Sequence, residues 1–204
     1  LKCADDSVNV SGSVTDGTIT NRSNAASYSG VLQGSLSGAS ADNYVLSAPV
    51  TGDLTINKAL LSISNYGGSR TYGDDNSTIA YSGSLSGQKF AEDVVTVSGN
   101  VTDGSITNRS NAASYSGVLQ GTLSGASAGN YTLAAPVTGD LTINKALLSI
   151  AGYGGSRTYG DDNSTINYSG TLSGQKFADD DVSYAAAVDG SVTNRSNAGM
   201  HSNV

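Results

Sequence analysis

One passage of this chain returns almost unchanged 87 residues later, and that interval limits the folds open to it. Leu54-Thr55-Ile56-Asn57-Lys58-Ala59 reappears as Leu141-Thr142-Ile143-Asn144-Lys145-Ala146, and Val14-Thr15-Asp16-Gly17 as Val101-Thr102-Asp103-Gly104. Residues 11–53 and 98–140 differ at only six of 43 positions, so the copies are expected to do the same job. A solenoid turn runs about 20–50 residues, and this interval is longer, near the length of a small autonomous domain. The chain therefore reads as a tandem array: residues 1–58 are the C-terminal part of one copy, 59–145 a complete copy, and 146–204 the N-terminal part of another. Such repetition argues for length and valency before chemistry.

Charge narrows the partners. The chain carries a net charge of −7, and its ten cations fall at four phases of the repeat: Lys2/Lys89/Lys176, Arg22/Arg109/Arg195, Lys58/Lys145 and Arg70/Arg157. A phosphate-backbone partner needs a basic face, so no nucleic acid is expected. No apolar run approaches the ~18 residues of a membrane span. Residue 1 falls inside a copy, so the start carries no message about export. Cys3 shares its phase with Phe90 and Phe177, which reads as a small buried hydrophobe rather than a redox or metal residue, and makes Phe90 an expected core residue.

Short runs of β-branched and aromatic residues alternate with turn-forming clusters, which is the pattern of a sandwich or barrel. In the complete copy the expected strands are Leu60–Ser64, Ile79–Leu85, Val94–Val101, Ser105–Asn108, Ser114–Ser124, Tyr131–Ala134 and Val137–Asn144. Asp103-Gly104 between Val101 and Ile106 reads as a hairpin turn. Ala128-Gly129-Asn130-Tyr131-Thr132-Leu133 has the spacing of a tyrosine corner, in which the hydroxyl bonds back to the backbone of the preceding loop; Tyr44 repeats it. The expected fold is all-β, a tandem array of immunoglobulin-like β-sandwich repeats of about 87 residues, with a β-grasp-like sheet as the alternative. Across Leu141 to Ile150 there is neither Pro nor Gly. A flexible linker is Gly/Ser-rich, so the joint between copies is expected to be short and stiff, giving a rod.

Several local patterns touch on chemistry. Gly125-Ala126-Ser127-Ala128-Gly129 matches the nucleophile-elbow spacing, but that motif needs a following helix and a histidine base. The residues after it are strand-like, and the one histidine, His201, lies in another copy. Glu92-Asp93 and Asp179-Asp180-Asp181 are adjacent carboxylates in turns rather than an acid–base pair. Asp74-Asp75-Asn76-Ser77-Thr78 and Asp161-Asp162-Asn163-Ser164-Thr165 place oxygens as a Ca²⁺ loop does, yet Ile79 stands where the loop needs glycine. Asx-turn chemistry accounts for the same residues. No catalytic, cofactor-binding or metal residue is assigned, and the chain is not expected to be an enzyme. Asn-x-Ser/Thr sequons begin at Asn9, Asn21, Asn76, Asn100, Asn108, Asn130, Asn163, Asn167 and Asn194, and eleven tyrosines invite a sugar-stacking reading.

Ser69-Arg70-Thr71-Tyr72-Gly73-Asp74-Asp75, Leu123-Ser124-Gly125-Ala126-Ser127-Ala128-Gly129-Asn130-Tyr131-Thr132-Leu133 and the closing Leu141-Thr142-Ile143-Asn144-Lys145-Ala146 together resemble the MBG and YDG-type repeats of filamentous-haemagglutinin-like, two-partner-secreted bacterial surface adhesins. The resemblance covers essentially the whole chain, although Ser127 stands where those repeats commonly have Asp. It implies an all-β module of an exported, cell-surface stalk with no catalytic residues. Its expected partners are neighbouring repeats of the same chain and, in the alternative reading of a carbohydrate- or matrix-binding module, surface or matrix polysaccharide.

Overall fold

A computed structural model describes residues 5–184 and 186–202. The positions of Lys2 and Cys3 lie outside the described residues. The described chain is all-β. Its strands are β1 (Asn9–Val14), β2 (Ser27–Ser37), β3 (Thr51–Thr55), β4 (Ala59–Thr71), β5 (Ala80–Ser86), β6 (Thr96–Val101), β7 (Ser114–Ser124), β8 (Tyr131–Leu133), β9 (Thr138–Asn144), β10 (Ser149–Ser156) and β11 (Asn167–Ser173). Helical geometry among the described residues is confined to three-residue 3₁₀ turns, as at Asn76–Thr78 and Ala128–Asn130.

The strands form three sheets, ordered β1-β2-β3, β10-β11 and β5-β4-β9-β7-β6, with β8 pairing β4 in parallel through Ala59↔Tyr131, Leu60↔Thr132 and Leu61↔Leu133. The 87-residue interval holds in the backbone. The antiparallel register of β1 on β2 (Asn9↔Ser37 to Val14↔Leu32) is that of β6 on β7 (Thr96↔Ser124 to Val101↔Leu119). Side chains alternate along β9 as the two-residue period requires, with Gly139, Leu141 and Ile143 buried and the residues between them exposed.

One expected strand is absent. Residues 105–108 are not strand: 103–106 close a turn, in which the Asp103 carboxylate accepts from the Ser105 N–H (2.9 Å) and hydroxyl (2.7 Å) and the Asp103 carbonyl from Ile106 N–H (3.1 Å). Asp103-Gly104 is thus a turn within a long connection, not the tip of a two-residue hairpin; the strand that returns is β7. Asx-turn hydrogen bonding outcompetes the β preference of Ile106 and Thr107.

By contact density the chain divides into two units. Unit 1 comprises Leu1–Gly68, Tyr81–Thr102 and Ser116–Asp140; it buries Leu119 and a cluster of Leu61, Val95 and Tyr131, with Ala59, Leu85, Leu123 and Leu133 packed around the cluster. Unit 2 comprises Ser69–Ala80, Asp103–Tyr115 and Leu141–Val204; it buries Ile79, Ile106, Leu141, Ile143 and one charged side chain, Arg70. Both units take residues from more than one sequence copy.

Candidate functional site

The segment Ser69–Asp75 has a distinct task for nearly every residue. Arg70 is the last residue but one of β4 and is 4 % exposed. Its Nε donates to Asn76 Oδ1 (2.9 Å), and its terminal nitrogens donate to the Thr71 and Thr107 carbonyls. Asn76 in turn donates through Nδ2 to the Ile106 carbonyl (2.8 Å). A buried guanidinium is tolerated only when its donors are satisfied, so this network fixes three segments of unit 2 at once. Asp75 caps the 3₁₀ turn by accepting from Ser77 N–H (2.9 Å); that bond, then the Ser77 hydroxyl and the Arg70 charge, hold its carboxyl below the usual range. Arg157, Asn163 and Asp162 repeat the arrangement, with Asn163 Nδ2 donating to the Val192 carbonyl at 2.7 Å.

The next three residues reach the following copy, inside unit 2. The Tyr72 hydroxyl donates to Asp180 (2.9 Å), which raises the phenol pKa, and its ring meets Phe177 edge-on at 5.6 Å. Gly73 has φ +89°, and a Cβ there would sit 2.5 Å from the Lys176 side chain. Glycine supplies both the conformation and the space. Lys176 Nζ pairs with Asp74 at 3.0 Å.

Across the same joint the Arg109 guanidinium lies over the Phe177 ring, 4.0 Å from its centroid, and donates from both terminal nitrogens to Asp179 at 3.0 and 2.9 Å. The fork geometry matches a carboxylate and its planar face suits a ring, uses that an ammonium cannot combine. The Arg109 hydrogen bond, followed by Asp179's own backbone N–H, holds the Asp179 carboxyl below its ordinary range. Unit 1 repeats the clasp 87 residues earlier, with Arg22 over Phe90 at 4.5 Å and paired with Glu92. There the preceding copy is also held by Asn130, which accepts from Ala25 N–H (2.9 Å) and donates to Asn24 Oδ1 (3.0 Å).

A crevice is lined by Arg22 and Phe90 in unit 1, and unit 2 has a crevice lined in part by residues of equivalent phase. In unit 1 it is about 330 Å³ and is lined by Arg22, Asn24, Lys89, Asp93, Asn130 and Tyr131 among others; in unit 2 it is about 320 Å³ and includes Tyr72, Lys145, Lys176, Asp180 and Asp181. Lys89 and Lys176, like Asp93 and Asp180, occupy equivalent phases. The lining offers donors, acceptors and two signs of charge, with no histidine and no nucleophile held by a base.

Phe90 is therefore not the core residue its hydrophobicity suggests; it is half-buried, a platform for Arg22. Tyr131 is core, but its hydroxyl does not return to the loop just before it. It donates to the Asp93 carboxylate and accepts from Lys89 N–H (3.1 Å), tying down residues 38 and 42 positions upstream, and Tyr44 reaches Asp6 in the same way. The Asp93 bond raises the Tyr131 pKa. The tyrosine-corner expectation is corrected accordingly: a carboxylate in range outcompetes a neutral backbone acceptor. Ser127 is a bracket for β6's approach, its hydroxyl accepting from Val94 N–H (3.1 Å). Among the sequons, Asn76, Asn130 and Asn163 have their amide nitrogens engaged. The Arg–Phe–carboxylate clasp was missed in the sequence, although its signal is there: Arg22 precedes Phe90 and Glu92, and Arg109 precedes Phe177 and Asp179, by the same intervals.

No family model, no curated protein and no solved structure matches this chain.

Proposed function

We propose that the chain is a stretch of the repetitive stalk of a secreted bacterial surface adhesin of the MBG/YDG repeat type, working as a mechanical spacer outside the cell. The observation that carries this reading is the clasp repeated at 87 residues, in which Arg22 or Arg109 of one copy grips the aromatic ring and carboxylate of the next. Side chains of the folded modules, rather than a linker, make the joint, as a load-bearing array requires. The copies at 1–58, 59–145 and 146–204 are its proposed modules. For their fold we propose the immunoglobulin-like sandwich. Its support is the long β4, which pairs β8 at its start and β9 further along, as a strand at a sandwich corner does. The β-grasp-like alternative draws on the same parallel pair.

Small-angle scattering on arrays of two to five complete copies tests the spacer. Its maximum dimension is expected to grow by a constant increment per copy, and replacing every clasp arginine by Ala is expected to shorten that increment. Growth as the square root of copy number is the behaviour of freely jointed modules and would contradict it.

A second reading, a repeat-borne carbohydrate-binding module, is supported by the paired crevices, whose lysine, aspartate and tyrosine lining suits a polyhydroxylated ligand. A glycan array probed with a three-copy array separates the two: a spacer gives blank wells, a binder a signal that rises with copy number.

A further inference from the structure

The six-stranded sheet occurs once, yet the chain carries the parts of a second. In that sheet β9 lies between β4 and β7. The copies of these strands are divided: β3, the counterpart of β9, is the edge of β1-β2-β3, and β10, the counterpart of β4, is the edge of β10-β11. Among the described residues neither edge has a second partner strand. The sequences match their paired counterparts closely, Thr51-Gly52-Asp53-Leu54-Thr55 being identical to Thr138-Gly139-Asp140-Leu141-Thr142.

Exposure follows the same division. Leu61 is 1 % exposed against 38 % for its counterpart Leu148, and Val95 is 9 % against 44 % for Val182. In the parallel pair Leu60 lies opposite Thr132; their counterparts Leu147 and Val45 are 90 % and 89 % exposed. Backbone space agrees as well. A Cβ on Gly139 would lie 2.4 Å from the Tyr66 carbonyl oxygen of the neighbouring β4, whereas a Cβ on Gly52 meets nothing closer than Leu32 Cβ at 3.8 Å.

We propose that this 204-residue chain self-associates head to tail, the β10 edge of one copy taking up β3 of a second and rebuilding the order β5-β4-β9-β7-β6 as β11-β10-β3-β2-β1, with residues 44–46 of the second copy laid parallel to 146–148 of the first. Unpaired strand edges template such additions, and the two faces differ, so the contact is heterologous and propagates. The occupant is a second copy of this chain because the chain itself contains the finished joint as its pattern.

Sedimentation velocity over a hundredfold range of concentration tests it, with Cys3 replaced by Ser. The chain is expected to form concentration-dependent oligomers. Gly52→Ala is expected to weaken association at least about tenfold while leaving the thermal melt of the dilute chain unchanged, since its Cβ is free in the monomer and collides only when β10 docks. Two further chains, one bearing Val45→Cys and the other Leu147→Cys, are expected to form a mixed disulfide when combined, and much less of either homodimer. A chain that stays monomeric throughout, association indifferent to Gly52→Ala, or cross-linking without preference for the mixed pair would each overturn the proposal.

Discussion

Counterpart residues one 87-residue interval apart have nearly the same local structure and very different burial. The hairpin registers of β1-β2 and β6-β7 coincide, and the Arg157–Asn163 bond has the 2.9 Å length of Arg70–Asn76. Yet Leu119 is fully buried where Leu32 is half-buried, and Tyr159 is 62 % exposed where Tyr72 is half-buried. Turns, caps and hairpins are thus set by residues close in sequence. The core is set by strands brought together from a distance, and it closes only where all of them are present.

Substitution of matched leucines gives the sharpest break. Leu119→Ala is expected to cost about 2–5 kcal/mol in a denaturant melt, as deletion at a fully buried site does, and Leu32→Ala well under half of that. Equal losses would mean that the burial of Leu119 contributes nothing beyond local structure. Next in size is the glycine pair. Gly139→Ala drives a methyl into the Tyr66 carbonyl and is expected to cost about 1–3 kcal/mol, whereas Gly52→Ala has room and should be near neutral.

Much of this was legible in the sequence. The all-β class, the repeat interval and six of the seven strands expected between residues 59 and 145 follow from alternation and turn residues. The seventh failed at Ser105–Asn108 because a single carboxylate, Asp103, organises the backbone there. Leu141 to Ile150 reads as a stretch without Pro or Gly, and only residues 145–148 separate β9 from β10, but the Arg–Phe–carboxylate chemistry was not legible. Phe90 and Phe177 look apolar enough for a core. Only the fold reveals that Arg22 and Arg109 arrive over their faces from about 70 residues away.

Two pH effects sharpen the comparison further. The Tyr66 hydroxyl is shared between the Ser98 and Gln120 carbonyls (both 3.2 Å), and burial, with the neighbouring Tyr81, pushes its pKa up to about 12. A phenol whose folded pKa is raised contributes stability that is complete below its unfolded value near 10 and is lost as pH rises through about 12. Alkaline titration monitored by phenolate absorbance should therefore show a phenol that ionises as late as about pH 12 and is missing in Tyr66→Phe; no such late phenol in the unsubstituted chain would contradict the burial.

Smallest is the acid effect at the clasp. The Asp179 carboxyl is lowered from 3.8, so its contribution is present above that value and is lost as pH falls through the lower, folded pKa. The ring-current shift of the Arg109 side-chain protons over Phe177 should hold at neutral pH and fade below about pH 3.8. A shift that does not change down to pH 2 would mean that the ring alone holds the guanidinium.

Hydrogen exchange at two counterpart amides tests most directly whether distant strands, rather than local bonds, secure the six-stranded sheet. Ile143 N–H donates to the Ala113 carbonyl at 2.8 Å and Ile56 N–H to the Ala26 carbonyl at 2.9 Å, one bond in two settings. Ile143 is 2 % exposed and Ile56 is half-buried. In the dilute monomeric chain, Ile143 is expected to exchange at least about a hundredfold more slowly than Ile56. Equal rates would contradict the account.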